Sequence, residues 1–304
     1  MKAVRINEWG QPLQIEELDR PSPASDEVLV RVYAAAVNPV DQGTAAGYLK
    51  EMLTAPHILG TDFAGEVVEV GTDVTHVKPG DAVYGFIPMR GGTFAEFVAV
   101  KGSEVARKPQ SLTFEQAAAV PLVGLSAWQT LFNKVNLQSG EHILIHGAGG
   151  GVGSFAVQLA KDAGAYVIAT EKGHNVVFVK QLGADEVIDV DSQHFEDVVG
   201  QVDVLLDLVR GEYVERSLNF LKSGARYVTT ANQLPEGAGK EQGIVAMGQF
   251  TQPNPEDLTK LAEAIDAGKA KVFVSRTFPI AETQAALNYQ PNEGEPGKVV
   301  IRIQ

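Results

Sequence analysis

The chain has 304 residues, 44% of them hydrophobic and 21% charged, enough to bury one large core or two modest ones. Its 38 acidic against 25 basic residues leave a formal charge of −13, the wrong sign for a surface that grips nucleic-acid phosphates. It contains no cysteine, which excludes disulfides, thiolate metal sites and a cysteine nucleophile.

The first residues, "MKAVRINEWG", carry no apolar targeting run, and no later run is long enough to span a bilayer. The expectation is a cytoplasmic protein with neither a membrane nor a nucleic-acid partner. Up to about residue 120 the texture is β-rich. "EVLVRVYAAAV", "AGEVVEV" and "TFAEFVAV" read as strands, and "VGTD" and "KPGD" as turns, which suits a compact barrel or sandwich. From Val120 to Gly268 the rhythm changes. Apolar runs "HILIH", "YVIAT", "VDVLLDLV" and "RYVTTA" alternate with helical stretches "SFAVQLAKDAG", "VVFVKQLG" and "EYVERSLNFL". Runs apolar on both faces suggest buried parallel strands, and the alternation suggests an α/β, doubly wound sheet. After Lys271 the texture turns strand-like again and ends in "GKVVIRIQ", too short to fold alone. The expected division is a β-rich domain of residues 1–120 with 271–304, and an α/β domain of residues 121–270.

Five glycines fall among the seven residues from Gly147 to Gly153, between the apolar run "HILIH" and a helical pattern. A helix start aims its N–H groups at an anion, and missing β-carbons let a pyrophosphate approach the backbone. Ala148-x-Gly150-x-x-Gly153 is the dinucleotide fingerprint with alanine first, and "YVIAT" ends about 20 residues later at Glu171. Gly150 would permit phosphate approach and Gly153 tight helix packing.

At these residues the chain resembles the medium-chain dehydrogenase/reductase superfamily, and within it the zinc-free quinone oxidoreductases and alkenal/enone reductases. The matching segments are "AAAVNPVDQGTAAGYL", "ILGTDFAGEVVEVG", "VKPGDAVYG", "AAAVPLVGLSAWQTL", "GGGVGSFAVQLAK", "LGADEVID" and "GKVVIRI". The resemblance implies a GroES-like, β-rich catalytic domain, a Rossmann domain, and an active site in the cleft between them. It implies hydride transfer from NAD(P)H to a small conjugated carbonyl or quinone. Zinc members of the superfamily bind their metal through cysteine and histidine; here the matching positions hold Asn38 and Thr61. His142 and His146 are too far apart on one strand to share an ion, and His57 and His76 lie in turn-rich sequence without a ligand partner, so the site reads as metal-free.

Two residues are the catalytic candidates. Asn38, in "NPVD", is placed by the resemblance beside the nicotinamide and substrate oxygen; the other reading is a turn cap before Pro39. Tyr48 reads either as a phenol donating to the enolate or as a half-buried packing residue. Asp41 reads as structural, and Thr61 as pocket lining or turn support. The cofactor candidates are Ser126, Gly150, Gly151, Val152, Gly153, Thr170, Glu171, Lys172, His174 and Thr229. Ser126 is equally a helix cap, and Phe250 reads as a substrate cover or plain core. Glu171 favours NADH by accepting ribose hydroxyls, whereas the resemblance implies that Lys172 and His174 stand where similar reductases hold a 2′-phosphate; a solvated turn is the other reading of these residues. The resemblance tips the expectation to NADPH, with NADH also accepted. The apolar edge strand "GIVAMGQF" predicts a homodimer. The rival reading is a nucleotide-binding structural or regulatory protein of the same fold, without turnover.

Overall fold

The computed structural model describes residues 1–88, 90–211, 213–289 and 296–304. The β-rich part holds β1 (Lys2–Ile6), β2 (Gln14–Glu17), β3 (Glu27–Ala36), β4 (His57–Ile58), β5 (Asp62–Val70), β6 (Ala82–Phe86), β7 (Phe97–Lys101) and β8 (Val105–Arg107). Helix α1 (Pro39–Ala45) leaves the end of β3, started by Pro39 at its first turn, where a proline lacks no needed donor. Helices α2 (Phe114–Ala118) and α3 (Pro121–Trp128) lead into the second part.

That part carries β9 (His142–His146), α4 (Gly151–Asp162), β10 (Tyr166–Glu171), α5 (Val176–Gln181), β11 (Glu186–Asp189), β12 (Val202–Asp207), α6 (Tyr213–Leu218), β13 (Leu221–Thr229), β14 (Val245–Gly248) and α7 (Pro255–Asp266). Its six strands run in the order β11-β10-β9-β12-β13-β14, and every pair is parallel. This is the Rossmann order, and the reversal between β9 and β12 opens a crevice at their carboxyl ends.

Sequence and structure differ in two elements. The helix expected over "EYVERSLNFL", whose Glu212 lies outside the described residues, ends at Leu218, and the strand expected at "RYVTTA" starts earlier, at Leu221. Its register against β12 shifts between Val202 and Val204, so a stretch rich in polar residues, "LKSGAR", continues the strand through an irregularity.

The closing elements are β15 (Val274–Pro279), α8 (Thr283–Asn288) and β16 (Lys298–Arg302). They return to the β-rich part, where the sheet order is β15-β16-β3-β5-β6-β8. The ten-residue β3 serves two partners along one edge: β7 pairs with Glu27–Arg31 and β16 with Ala34–Ala36. That antiparallel pairing brings Lys298 to the end of β3, beside the start of α1. One apolar cluster then runs through both parts, joining Ala34, Tyr84 and Phe86 to Ile143, Leu206 and Leu261. Polar ties cross it as well: Tyr84 Oη donates to Leu258 O at 2.5 Å, and the Asp266 carboxylate accepts from Gln110 N and Ser111 N, each at 2.9 Å.

Candidate active site

The cleft between the two parts has a volume of about 840 Å³, within the range of small-molecule sites. One wall is the turn from β9 into α4. Gly147 has φ of +75°, a conformation that side chains rarely adopt, and Gly147 N and Ala148 N donate to Thr170 O at 3.2 and 3.3 Å. No side chain caps α4, so the first-turn N–H groups of Gly151, Val152 and Gly153 lack an intrahelical acceptor and face the cleft. A β-carbon at Gly150 would meet only Gly147 O, at 3.4 Å, so the space above it is open. One at Gly153 would lie 2.3 Å from Gly147 O and 2.7 Å from Ala148 Cα, so nothing larger than glycine fits beneath the turn. An uncapped 12-residue helix with an open approach fits a pyrophosphate by its dipole and its donors.

The opposite wall is made of side chains. Asn38 is 1% exposed, and its Nδ2 donates to Asp62 Oδ2 at 2.8 Å and to Thr61 Oγ1 at 3.2 Å. Asp41 Oδ2 accepts from Asn38 N at 2.8 Å, and Asp62 Oδ1 accepts from Leu122 N at 2.9 Å. Lys298 Nζ donates to Val37 O at 2.6 Å and to Asn38 Oδ1. Burial opposes every charge in this group. It pushes Asp41 up to about 7 and Asp62 up to about 6, and it pulls the Lys298 ammonium below its ordinary range. The ammonium and the two carboxylates offset part of that cost by facing one another. Buried ion groups of this kind add little net stability.

The other expected residues divide. Tyr48 borders the cleft at its rim, 82% exposed, with its N donating to Gly43 O at 2.9 Å. Thr170 lies behind the glycine turn, where its Oγ1 pairs with His146 Nδ1 at 2.8 Å. His146 is wholly buried and bridges to Ser217 Oγ at 3.2 Å, and burial pushes its pKa down to about 4. Glu171 curls back onto the turn: Oε2 accepts from Gly149 N at 2.6 Å and Oε1 from Lys172 N at 3.0 Å. Lys172 and His174 are exposed beside it, while Gly173 N donates to Asp191 Oδ2 at 3.1 Å. Ser126 is buried and pairs with the Thr251 hydroxyl, so its side chain is engaged away from the cleft. Thr229 is also buried, its Oγ1 accepting from Ala231 N and Asn232 N at 3.1 Å each; the cleft is lined instead by Thr230 and Ala231. Phe250 stands 67% exposed outside the cleft lining.

Sequence reasoning missed Lys298 and Arg210. Arg210 follows the apolar run that becomes β12 and reaches the cleft at the strand-order reversal, a position that the run itself signals. Among the described residues, no three His, Asp or Glu side chains converge as metal ligands, and no helix is long and apolar enough to cross a membrane.

Residues 24–110 match the alcohol dehydrogenase GroES-like domain, and residues 182–301 match the zinc-binding dehydrogenase domain. NAD(P)H oxidoreductase RTN4IP1, mitochondrial, of Mus musculus is 36% identical over 325 residues, covering 91% of this chain and 82% of that protein. The 2-methylene-furan-3-one reductase of Solanum lycopersicum is 36% identical over 317 residues, covering 99% of this chain and 79% of that one. The solved quinone oxidoreductase of Coxiella burnetii superposes with a TM-score of 0.90 at 33% identity, covering 100% of this chain and 99% of that one. By fold, cleft and relatives together, the chain belongs to the quinone and enone reductase branch of the medium-chain dehydrogenase/reductase superfamily.

Proposed function

We propose that the protein is an NAD(P)H-dependent oxidoreductase that transfers hydride to an electron-poor conjugated acceptor, a quinone or an α,β-unsaturated ketone or aldehyde, without a metal. The observation that carries this reading is a single cleft with an uncapped, glycine-lined helix start on one wall and a half-buried lysine bordering the other. A bound dihydronicotinamide supplies the hydride. The chain's own part is to hold the pyrophosphate on the first turn of α4, with Arg210 as a nearby cation, and to meet the charge that develops on the acceptor's oxygen. A conjugated acceptor spreads that charge into an enolate or hydroquinone anion, for which hydrogen-bond donors suffice in place of a Lewis acid. The absence of cysteine supports metal independence. The test follows loss of dihydronicotinamide absorbance with a panel of quinones, enones and alkenals, before and after chelator treatment. Cofactor binding without turnover on any acceptor would favour the rival reading, a non-catalytic nucleotide-binding protein.

NADPH is the proposed cofactor, because the Glu171 carboxylate is engaged by two backbone N–H groups while Lys172 and His174 stand exposed at the same turn. NADH is the second reading, in which the Glu171 carboxylate accepts the adenosine-ribose hydroxyls and repels a 2′-phosphate. Comparing kcat/KM for both cofactors in the wild type and in Lys172→Ala separates them. A preference for NADH that survives the substitution assigns the choice to Glu171. The proposal also includes a homodimer joined along β14, where Val245 is 53% exposed on the outer strand, and a cytoplasmic location. Light scattering and cell fractionation check these.

A further inference from the structure

We propose that Lys298 is the group that donates a hydrogen bond to the acceptor's oxygen, in the role that the family resemblance gives to Asn38. The inference rests on the reductase reading above and starts from a count of donors. A primary amide has two N–H groups and one carbonyl oxygen. Both N–H groups of Asn38 are engaged, by Asp62 Oδ2 at 2.8 Å and Thr61 Oγ1 at 3.2 Å, and its Oδ1 accepts from Lys298. Its orientation is fixed by its neighbours. Turning the amide over would set its NH₂ against an ammonium and its oxygen against a carboxylate. Asn38 therefore has no N–H left for a substrate.

An ammonium has three N–H groups. Two of them donate to Val37 O and Asn38 Oδ1, which leaves one. Lys298 borders the cleft and keeps partial exposure, whereas Asn38 is 1% exposed. The lysine stem also passes the start of α4: a β-carbon at Gly151 would lie 3.4 Å from Lys298 Cδ. The side chain thus reaches from the pyrophosphate cradle to the side-chain wall, and the nicotinamide end of a cofactor held on that cradle has to lie in this same cleft. Asp41 and Asp62 face the ammonium and favour its charged form against the pull of burial. A charged donor in a partly desolvated site stabilises an oxyanion more strongly than a neutral amide does. As hydride adds to the conjugated carbon, the double-bond pair shifts toward the carbonyl carbon and the oxygen becomes anionic. Lys298 keeps its proton throughout, and Asn38 acts as a positioning residue that holds the ammonium in place.

The experiment compares Lys298→Met, which keeps stem length but loses charge and donors, with Lys298→Arg and Asn38→Ala. For each variant kcat, KM and cofactor affinity are measured, affinity by fluorescence titration, with melting temperature as the check on folding. Lys298→Met is expected to lower kcat by about a hundredfold to a thousandfold, the loss seen for one oxyanion donor, with cofactor affinity retained. Lys298→Arg is expected to recover part of that loss, and Asn38→Ala to cost less than Lys298→Met. Should Lys298→Met not fold, because it strips the cation from two buried carboxyls, the same comparison is made between Asp62→Asn and Asp62→Asn with Lys298→Met. An active wild type whose kcat is unchanged by Lys298→Met, or is lowered more by Asn38→Ala, overturns this proposal and leaves the reductase reading standing. A wild type that binds cofactor but reduces no acceptor sinks both.

Discussion

The two walls of the cleft are built from different materials. The α4 wall is nearly all main chain, a run of residues from Gly147 to Gly153 whose N–H groups and missing side chains make the site. The opposite wall is nearly all side chain, with Asn38, Asp41, Thr61, Asp62 and Lys298 locked by mutual hydrogen bonds. A main-chain site has fixed partial charges and no titration, and it is sensitive to any added atom. A side-chain site carries full charges whose balance depends on burial and pH, and it tolerates changes of shape better than changes of charge. Each wall should therefore fail in its own way.

The largest effect should come from Gly153→Val on the main-chain wall. The new side chain has to enter space already held by Gly147 O and Ala148 Cα, main-chain atoms with nowhere to go. Overpacking of that kind costs about 3 kcal/mol or more. The expected result is a melting temperature lower by about 6–12 °C, read by calorimetry. An unchanged melting temperature would show that the turn can relax, and the contrast between the walls would weaken.

Gly150→Val probes the same wall without the clash. Gly150 has φ of −72° and ψ of 173°, an extended conformation that valine adopts readily, and the added carbons project into open space. The fold should survive with a near-normal melting temperature. Loss of one or two charge-assisted hydrogen bonds to the pyrophosphate should weaken cofactor binding by about tenfold to a hundredfold or more. Unchanged affinity in a titration would make this turn purely structural.

The smallest effect tests the charged wall through pH. In the folded chain Asp41 holds its proton to about 7 and Asp62 to about 6, against an ordinary value of 3.8. Between those limits the folded state binds more protons than the unfolded one. The stability tied to these carboxyls is thus fully present below about pH 4 and is lost as pH rises through the folded values. Asp41→Asn removes the Asp41 share. Between about pH 5 and about pH 8 the wild type should lose on the order of 1–3 kcal/mol more stability than the variant. Parallel stability–pH profiles would mean that Asp41 is ionised throughout.

The same contrast explains what was legible in the sequence. The strand, glycine turn and helix of the α4 wall lie within about 20 consecutive residues, and each glycine's conformation follows from local backbone geometry, so the string reveals the turn. Lys298 sits in "GKVVIRI", which reads only as a strand; its meeting with Asn38, 260 residues earlier, exists because β16 pairs with β3. Thr229 shows a finer limit. The strand was legible but its facing was not, and alternation along it turns Thr229 inward and leaves Thr230 at the cleft. Helix α7, the last of the second part, packs Leu258 and Leu261 into the shared core, and its start is marked in the sequence by the N-cap Asn254 and by Pro255.

The apolar cluster shared by the two parts has a further consequence. Tyr84 and Phe86 on one side and Leu258 and Leu261 on the other bury surface that neither part could cover alone. Unfolding either part would strand that surface in water, at a cost of roughly 25 cal/mol for each Å² exposed. The two parts are thus thermodynamically one unit, expected to melt in a single cooperative transition. Neither could be excised or exchanged between relatives without recutting the seam.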